Sequence, residues 1–277
     1  MEQLITYFHR LLKRYSQFGQ MRYLYDEINW ANRLILIRGP KGSGKTTMIM
    51  QHIQRTFPDK SKVLYCSVDH MWFASNTLLD LAEYAYTHGI SHLFLDEIHR
   101  YNNWAQELKN IYDSYPDIYV VVTGSNANML SKELSTIIGG RYKEIHVQSL
   151  SYKEFLQFHN LQDSDDALSK YIQFGGLPGL IKIGLDEDDA IEYQKDVLST
   201  VLLKDVISRN NIRNVAFLEK LTNFIADNVG KIVSATSISK FMKSQGQDVS
   251  VKKGEVLQLC LKDISRACRL RAVHRNL

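Results

Sequence analysis

The sequence contains little cysteine and no long hydrophobic segment. Only three of its 277 residues are cysteines, Cys66, Cys260 and Cys268, which are too few and too scattered for a disulfide or zinc framework. No apolar run approaches the length that a bilayer-spanning helix needs. The first residues also lack the basic start and the apolar stretch of a secretion signal. We therefore expect a cytoplasmic protein that does not contact the membrane.

The charge is almost balanced, with a formal net charge of only +4. From Asp248 onward there are seven Lys or Arg residues and three acidic ones, so this tail carries the whole net charge (7 − 3 = +4). A basic tail favours nucleic acid or an anionic surface, but it is equally typical of a solvated terminus. The hydrophobic content of 44% is ordinary for a globular protein. The length allows a substantial core and more than one domain.

One motif stands out. Residues 39–46 read Gly-Pro-Lys-Gly-Ser-Gly-Lys-Thr, a complete match to G-x-x-x-x-G-K-[ST]. An apolar run of strand length precedes the motif, and a helix-compatible segment follows it. Strand, glycine loop and helix is the context in which this pattern forms a phosphate-binding loop. The predicted nucleotide-binding residues are Gly39, Pro40, Lys41, Gly42, Ser43, Gly44, Lys45, Thr46 and Thr47.

The chemistry of such a loop depends on its backbone. Glycines let successive N–H groups point into one concavity, where they cradle phosphate oxygens at the positive end of the following helix. Lys45 should reach the β- and γ-phosphates, and the Thr46 hydroxyl should bind Mg²⁺. No Asn-Lys-x-Asp guanine motif is visible, which favours ATP as the nucleotide.

Apolar runs alternate with helical patterns through the first half of the chain. Continuous apolar strands separated by helices indicate a parallel α/β sheet that is covered on both faces. The predicted strands are residues 34–38, 63–68, 92–95 and 118–123. The predicted helices are 47–53, 76–86 (with Asn76 or Ser75 as N-cap) and 103–115.

An N-terminal helix is predicted over residues 4–19, with Gly19 as its stop. Leu4, Phe8, Leu11 and Tyr15 recur at helical spacing and form one apolar stripe. This stripe predicts packing against the nucleotide domain, and a partner-binding helix is the alternative.

Polar residues follow the predicted strands where ligands of parallel sheets bind. Asp96 is expected to hold Mg²⁺, directly or through water, and Glu97 to orient and polarise the attacking water. Thr123, Ser125 or Asn126 could contact the γ-phosphate or that water, although such residues also suit a helix cap. Arg141 is expected to act on the phosphates of its own or a neighbouring subunit, or to be a surface charge.

These motifs together resemble prokaryotic AAA-type ATPases. The resemblance rests on the phosphate loop, Leu95-Asp96-Glu97-Ile98-His99, Trp104, Val122-Thr123-Gly124-Ser125, Gly140-Arg141-Tyr142, residues 150–156 (LSYKEFL) and residues 174–178 (FGGLP). The chain is similar over about residues 20–250 to a largely uncharacterised bacterial and archaeal set related to the archaeal ATPases near the origin-recognition proteins. Its members usually carry a C-terminal domain of unknown function.

We expect four parts, of which the resemblance implies the ATPase core, the lid and the winged-helix-like segment. These are an N-terminal helix (1–20), a P-loop AAA ATPase core (21–148), a helical lid (149–210) and a winged-helix-like segment with a basic tail (211–277). Residues 151–160, 167–174, 189–208, 214–228 and 234–241 read as helices. Beyond Val251 the family pattern is lost, and we hypothesise a truncated or frame-shifted member. An intact reading frame on resequencing would contradict that hypothesis.

Three functions are compatible with the sequence. The first is an ATPase that hydrolyses ATP with Mg²⁺ to drive a conformational change, in which Lys45, Glu97, Asn126 and Arg141 act in catalysis. The second is a nucleotide-gated DNA-binding or regulatory module with little turnover, which would contact DNA through its C-terminal segment. The third is a P-loop kinase, against which the acidic pair argues. A homo-oligomer is left open.

Overall fold

The structure of the protein is a computed structural model that describes residues 1–16, 19–125, 127–200, 220–224, 227–228 and 234–244. The chain divides into two compact units, Met1–Ser149 and Leu150–Leu277. Asn126 and most of the predicted winged-helix-like segment lie outside the described residues. Among the described helices, none has the length and apolar character that crossing a bilayer requires.

A parallel sheet forms the centre of the first unit. Its strands are β1 (Leu34–Arg38), β2 (Val63–Ser67), β3 (His92–Asp96), β4 (Tyr119–Gly124) and β5 (Lys143–His146). They lie in the order β2-β3-β4-β1-β5, and every neighbouring pair is parallel. The side chains of Ile35, Leu36 and Ile37 in β1 are fully buried, so both faces of the sheet are covered. The predicted α/β class is confirmed.

Strand β5 was not predicted from the sequence. Its residues read Lys-Glu-Ile-His, in which Ile145 is the only apolar residue and the only buried one. The strand lies at the edge of the sheet and pairs with β1 alone. An edge strand buries little surface, so it leaves almost no apolar pattern in the sequence.

The register brings the carboxyl ends of the strands to one edge of the sheet. Arg38 pairs with Gly124 at the ends of β1 and β4, and Asp96 pairs with Ser67 at the ends of β3 and β2. Residues that are far apart in the sequence but follow these strands therefore meet at this edge.

Six α-helices are described in the first unit. They are α1 (Glu2–Tyr15), α2 (Leu24–Glu27), α3 (Lys45–Thr56), α4 (Leu78–Thr87), α5 (Trp104–Ser114) and α6 (Ala127–Ile138). Four of them, α1, α3, α4 and α5, agree with predicted helices except in their boundaries, whereas α2 and α6 were not predicted. Helix α4 is capped by Thr77 and not by Asn76 or Ser75. The reason is a capping box, in which Thr77 accepts from the Asp80 N–H and Asp80 accepts from the Thr77 N–H.

The N-terminal helix packs on the nucleotide-binding unit as the apolar stripe predicts. Leu4 and Phe8 are buried in the main core, and Leu11 and Tyr15 pack against it. The helix contacts α3 and β2. It ends at Tyr15, with Ser16 as C-cap, so Gly19 is not its stop.

The second unit is helical in its described part. Helices α7 (Tyr152–His159), α8 (Asp165–Phe174), α9 (Leu180–Ile183) and α10 (Glu187–Thr200) are followed, after a gap, by a helix at Ala235–Ser244. A small core joins Phe174, Leu177, Leu180 and Ala190. Between these helices, Gly176 approaches the main chain of Leu150 so closely that a Cβ would overlap the Leu150 carbonyl oxygen. This close approach explains why residue 176 is a glycine.

Helix α3 contains a buried histidine, His52. His52 of α3 stacks on Trp30 at 3.8 Å between ring centroids, and Tyr25 Oη lies 3.1 Å from its Nδ1. Burial lowers the pKa of His52 to about 4, with a smaller contribution from His92. The neutral imidazole is therefore the form that the folded protein prefers.

This gives a prediction about stability and pH. Because the folded pKa of His52 lies below its unfolded value of about 6.5, stability contributed by His52 is complete above pH 6.5 and is lost as the pH falls toward 4. The unfolding free energy of the wild type should fall between pH 7 and pH 4. We expect the fall in His52→Gln to be smaller by about 3 kcal/mol. Urea denaturation at both pH values measures this difference. His88→Gln, which alters an exposed histidine, is the control, and equal losses in wild type and His52→Gln would contradict the prediction.

Candidate functional site

The glycine motif forms the loop between β1 and α3, as the sequence predicts. Gly42 and Gly44 have φ angles of 80° and 89°, a left-handed conformation that favours glycine. The 12-residue helix α3 begins directly after Gly44. The loop therefore stands at the positive end of a helix, where backbone N–H groups bind anions.

The first glycine of the motif is fixed by packing and not by its φ angle. The Gly39 N–H donates to the Gly124 carbonyl at 3.3 Å, which joins the loop to the end of β4. A Cβ at Gly39 would overlap the carbonyl oxygen of Val147. The loop is thus in direct contact with the chain just after β5.

The ammonium group of Lys45 lies against the backbone of the loop. Its side chain is 5% exposed, and Nζ donates to the carbonyls of Gly39 (2.9 Å) and Pro40 (3.0 Å). Two charge-assisted hydrogen bonds thus keep a buried ammonium group beside the anion-binding backbone. Between these residues, Ser43 is also fully buried, and within the described part of the chain its Oγ has no hydrogen-bond partner.

The two predicted metal ligands, Thr46 and Asp96, are in contact. Thr46 Oγ1 donates to Asp96 Oδ2 at 2.6 Å, across 50 residues of sequence. Asp96 is 4% exposed and also accepts from Tyr65 Oη (2.6 Å), Thr123 Oγ1 and the Glu97 N–H (3.1 Å). Four donors therefore fix the orientation of this carboxylate, since an ionised carboxylate has about four acceptor positions.

Glu97 has an unusual backbone conformation. Its φ and ψ angles are 56° and 39°, in the left-handed region that is rare for residues with a Cβ. Its N–H reaches Asp96 Oδ1 and Thr123 Oγ1, and its carbonyl accepts from the Arg100 N–H. Backbone strain of this kind is often retained at functional sites. The side chain is 25% exposed, and Oε2 lies 3.4 Å from His99 Nδ1.

The polar residues at the carboxyl end of β4 make different contacts. Thr123 is fully buried and donates to Asp96, so its hydroxyl orients the acidic pair. Ser125 Oγ lies 3.5 Å from His99 Nε2. Asn126, which we predicted as a catalytic residue, lies outside the described residues, and its role stays a prediction.

Arg141 is not brought to the phosphate loop of its own chain. Its Nη1 lies 3.4 Å from Asp113 Oδ1, and its Nε donates to the Ile138 carbonyl at 2.9 Å. Asp113 is in the last turn of α5, ahead of β4, and Arg141 itself precedes β5. Both positions are at the amino edge of the sheet, whereas the loop follows the carboxyl end of β1. Because strands of four to six residues rise ~3.3 Å per residue, the two edges lie roughly 13–20 Å apart.

Sequence reasoning missed two buried side chains that support the site. Arg22 is 6% exposed and donates to the carbonyls of Ser43 (3.1 Å), Gln148 (2.5 Å) and Ser149 (3.2 Å). Tyr65 is 2% exposed and donates to Asp96. Its burial, together with the Asp96 charge, raises its pKa, so the phenol stays protonated as a donor. Neither residue belongs to a motif, and only the three-dimensional contacts reveal them.

The donor set suits a nucleotide with a magnesium ion. Backbone N–H groups at a helix start and a buried ammonium group bind phosphate oxygens. A hydroxyl and a carboxylate, Thr46 and Asp96, are oxygen ligands of the type that Mg²⁺ prefers. The fold and this loop define a P-loop NTPase.

Comparison with known proteins gives a more specific class. A family described as an AAA domain matches residues 31–156, and a domain of unknown function matches residues 165–277. Residues 31–156 are therefore similar to an AAA domain and are followed by a second matched domain, as the sequence resemblance implies. The second match includes the residues beyond Val251, in which we found no pattern.

The relatives are uncharacterised bacterial and archaeal proteins. An uncharacterised protein of Haemophilus influenzae is 29% identical over 223 residues, covering 76% of this chain and 55% of that protein. The uncharacterised protein MJ1544 of Methanocaldococcus jannaschii is 28% identical over 238 residues, covering 79% and 52%. The chain thus spans about half the length of these relatives.

A solved structure supports the fold. The Walker-type ATPase of Pyrococcus abyssi superimposes with a TM-score of 0.57 at 13% sequence identity, covering 93% of this chain and 99% of that one. At this identity the likeness shows the fold alone. The chain has the fold and the domain of an AAA-type P-loop ATPase.

The contact between Gly39 and Val147 makes a prediction about the loop. Gly39→Ala should lower the unfolding free energy by about 1–3 kcal/mol, because the new methyl group overlaps a backbone carbonyl that cannot rotate away. Urea denaturation measures the change. Gly19→Ala is the matched control, since a Cβ at Gly19 meets no atom within 4 Å. Equal stabilities of the two variants would show that the loop does not need the close approach.

Proposed function

We propose that the chain binds ATP with Mg²⁺ and hydrolyses the nucleotide to drive a conformational change. The observation that carries this proposal is the convergence of Lys45, Thr46, Asp96 and Glu97 at the carboxyl edge of the sheet, beside the glycine loop. These four residues come from two segments that are about 50 positions apart. A chance phosphate loop would have no reason to meet an acidic pair in this way.

Each residue has a role in the proposed reaction. Hydrolysis adds water to the γ-phosphorus, breaks its bond to the β-phosphate oxygen and releases ADP and phosphate. Lys45 neutralises charge on the phosphates, and Glu97 orients the water and accepts its proton. Thr46 and Asp96 would hold Mg²⁺, which when bound neutralises further phosphate charge.

Contacts around the loop support the conformational part of the proposal. Arg22 joins the Ser43 carbonyl in the loop to the Gln148 and Ser149 carbonyls. Residues 148 and 149 are the last of the first unit, and the chain continues from them into the second. A change in the loop that moves the Ser43 carbonyl would therefore alter, through Arg22, the hydrogen bonds to residues 148 and 149, where the chain leaves the first unit.

The roles of Arg141 in catalysis and of the C-terminal segment in DNA binding are proposals that no contact among the described residues supports directly. Arg141 would act as an arginine finger only on the loop of a neighbouring copy, since it lies away from its own loop. DNA binding was expected through the C-terminal segment, most of which lies outside the described residues.

Glu97→Gln tests the enzymatic proposal. The amide keeps the shape of the side chain but cannot accept a proton, so we expect kcat for phosphate release to fall by about 100-fold or more while ATP affinity changes little. Glu83→Gln, at an exposed glutamate, should match the wild type. If wild type and Glu97→Gln bind ATP and release phosphate equally slowly, the chain is a nucleotide-binding module and not an ATPase.

Lys45→Ala tests the binding proposal. Removal of a buried ammonium group from the loop should weaken binding of ATP with magnesium by about 10- to 100-fold. Titration with a fluorescent ATP analogue measures the affinity. Lys62→Ala removes an exposed lysine and is the control for net charge. Unchanged affinity in Lys45→Ala, or no affinity in the wild type, would overturn the proposal.

A further inference from the structure

His99 lies between the predicted catalytic carboxylate, Glu97, and the end of strand β4. It belongs to a short 3-10 turn, Ile98–Arg100, that follows the acidic pair. Its side chain is only 9% exposed, Nδ1 lies 3.4 Å from Glu97 Oε2, and Nε2 lies 3.5 Å from Ser125 Oγ. One buried imidazole therefore contacts a side chain from each of two neighbouring strand ends.

The chemistry of the three groups fixes the direction of these contacts. An ionised carboxylate only accepts hydrogen bonds, so the imidazole proton facing Glu97 belongs on Nδ1. In the neutral tautomer, Nε2 then accepts from the Ser125 hydroxyl. The Nε2–Oγ distance of 3.5 Å is at the long end of hydrogen-bond range, and Nδ1 and Oε2 are 3.4 Å apart without forming a hydrogen bond in this structure. Catalytic contacts that are long in the absence of substrate commonly tighten when it binds.

Glu97 needs such a neighbour. The Glu97 N–H is held by Asp96 and Thr123, whereas the Glu97 side chain is partly exposed and has several rotatable bonds. A carboxylate that orients water must be in one rotamer, and fixing a glutamate side chain costs conformational entropy. A buried imidazole at 3.4 Å stabilises the rotamer in which Oε2 faces His99.

We propose that His99 is a positioning residue for Glu97 and that it links the rotamer of Glu97 to Ser125 at the end of β4. This inference rests on the proposed ATPase function and adds to it the residue that holds the catalytic carboxylate. His99 does not contact the nucleotide in this proposal. Its loss should therefore affect the chemical step and not the binding of ATP.

The experiment compares His99→Ala, His99→Gln, Glu97→Gln and the double variant His99→Ala/Glu97→Gln in the full chain. We expect His99→Ala to lower kcat by about 10- to 100-fold, the range found when a residue that orients a functional group is removed. KM and the affinity for a fluorescent ATP analogue should change less than about twofold. His99→Gln, whose amide can still donate to Glu97, should recover part of the lost kcat.

The double variant distinguishes positioning from other roles. If His99 acts through Glu97, His99→Ala should cause no further loss in the Glu97→Gln background, because effects of residues that act as a unit are not additive. Single-turnover measurement reaches the slow rates that this comparison needs. His88→Ala, at an exposed histidine, is the control.

If phosphate release by Glu97→Gln is slow, the proposed function holds, but three outcomes would still overturn the role of His99. These are an unchanged kcat in His99→Ala, an equal loss of kcat in both backgrounds, and a rise in KM without a fall in kcat. A wild-type kcat in Glu97→Gln would instead overturn the proposed function, and the role of His99 with it. If His99→Ala fails to fold, as circular dichroism would show, the comparison of His99→Gln in both backgrounds decides the question.

Discussion

The hydrogen bond from Thr46 to Asp96 is the contact on which the rest of the site depends. It joins the first turn of the helix after the glycine loop to the end of β3, although β4 lies between β1 and β3 in the sheet. The bond forms only if β1 and β3 run in the same direction and end at the same edge of the sheet. It therefore ties the topology of the sheet to the position of the groups that would bind a metal ion and phosphates.

The sequence predicted the parts of the molecule that bury continuous apolar surface or use a strict backbone motif. Residues 34–37 in β1 and 93–95 in β3 are uninterrupted apolar runs, and the glycine loop needs left-handed backbone at Gly42 and Gly44. Such signals are local, so they can be read from neighbouring residues. Strand β5 was not predicted because an edge strand requires few apolar residues. Ile145 is the only apolar residue among its four, so the sequence has no strand pattern there.

The support of the site was not predictable in the same way. Arg22, Tyr65 and His99 contact residues that lie 2 to 127 positions away, and their types alone do not separate a functional side chain from an ordinary one. A tyrosine in an apolar run reads as a core residue, and Tyr65 is also buried like one. Its hydroxyl becomes informative only when Asp96 is seen beside it. The place of Arg141 was uncertain for the same reason, since its partner Asp113 is 28 positions away.

The buried charges of the site are satisfied within the protein itself. Asp96 accepts from four donors, and Lys45 donates to two carbonyls of its own loop. Burial of these groups without partners would cost several kcal/mol each, so the fold needs these contacts to be stable. In the proposed function, phosphate binding by Lys45 would therefore exchange one set of hydrogen bonds for another. The affinity gained would be the difference between the two, and a loop held by Arg22 and Gly39 favours binding because its N–H groups need little further ordering.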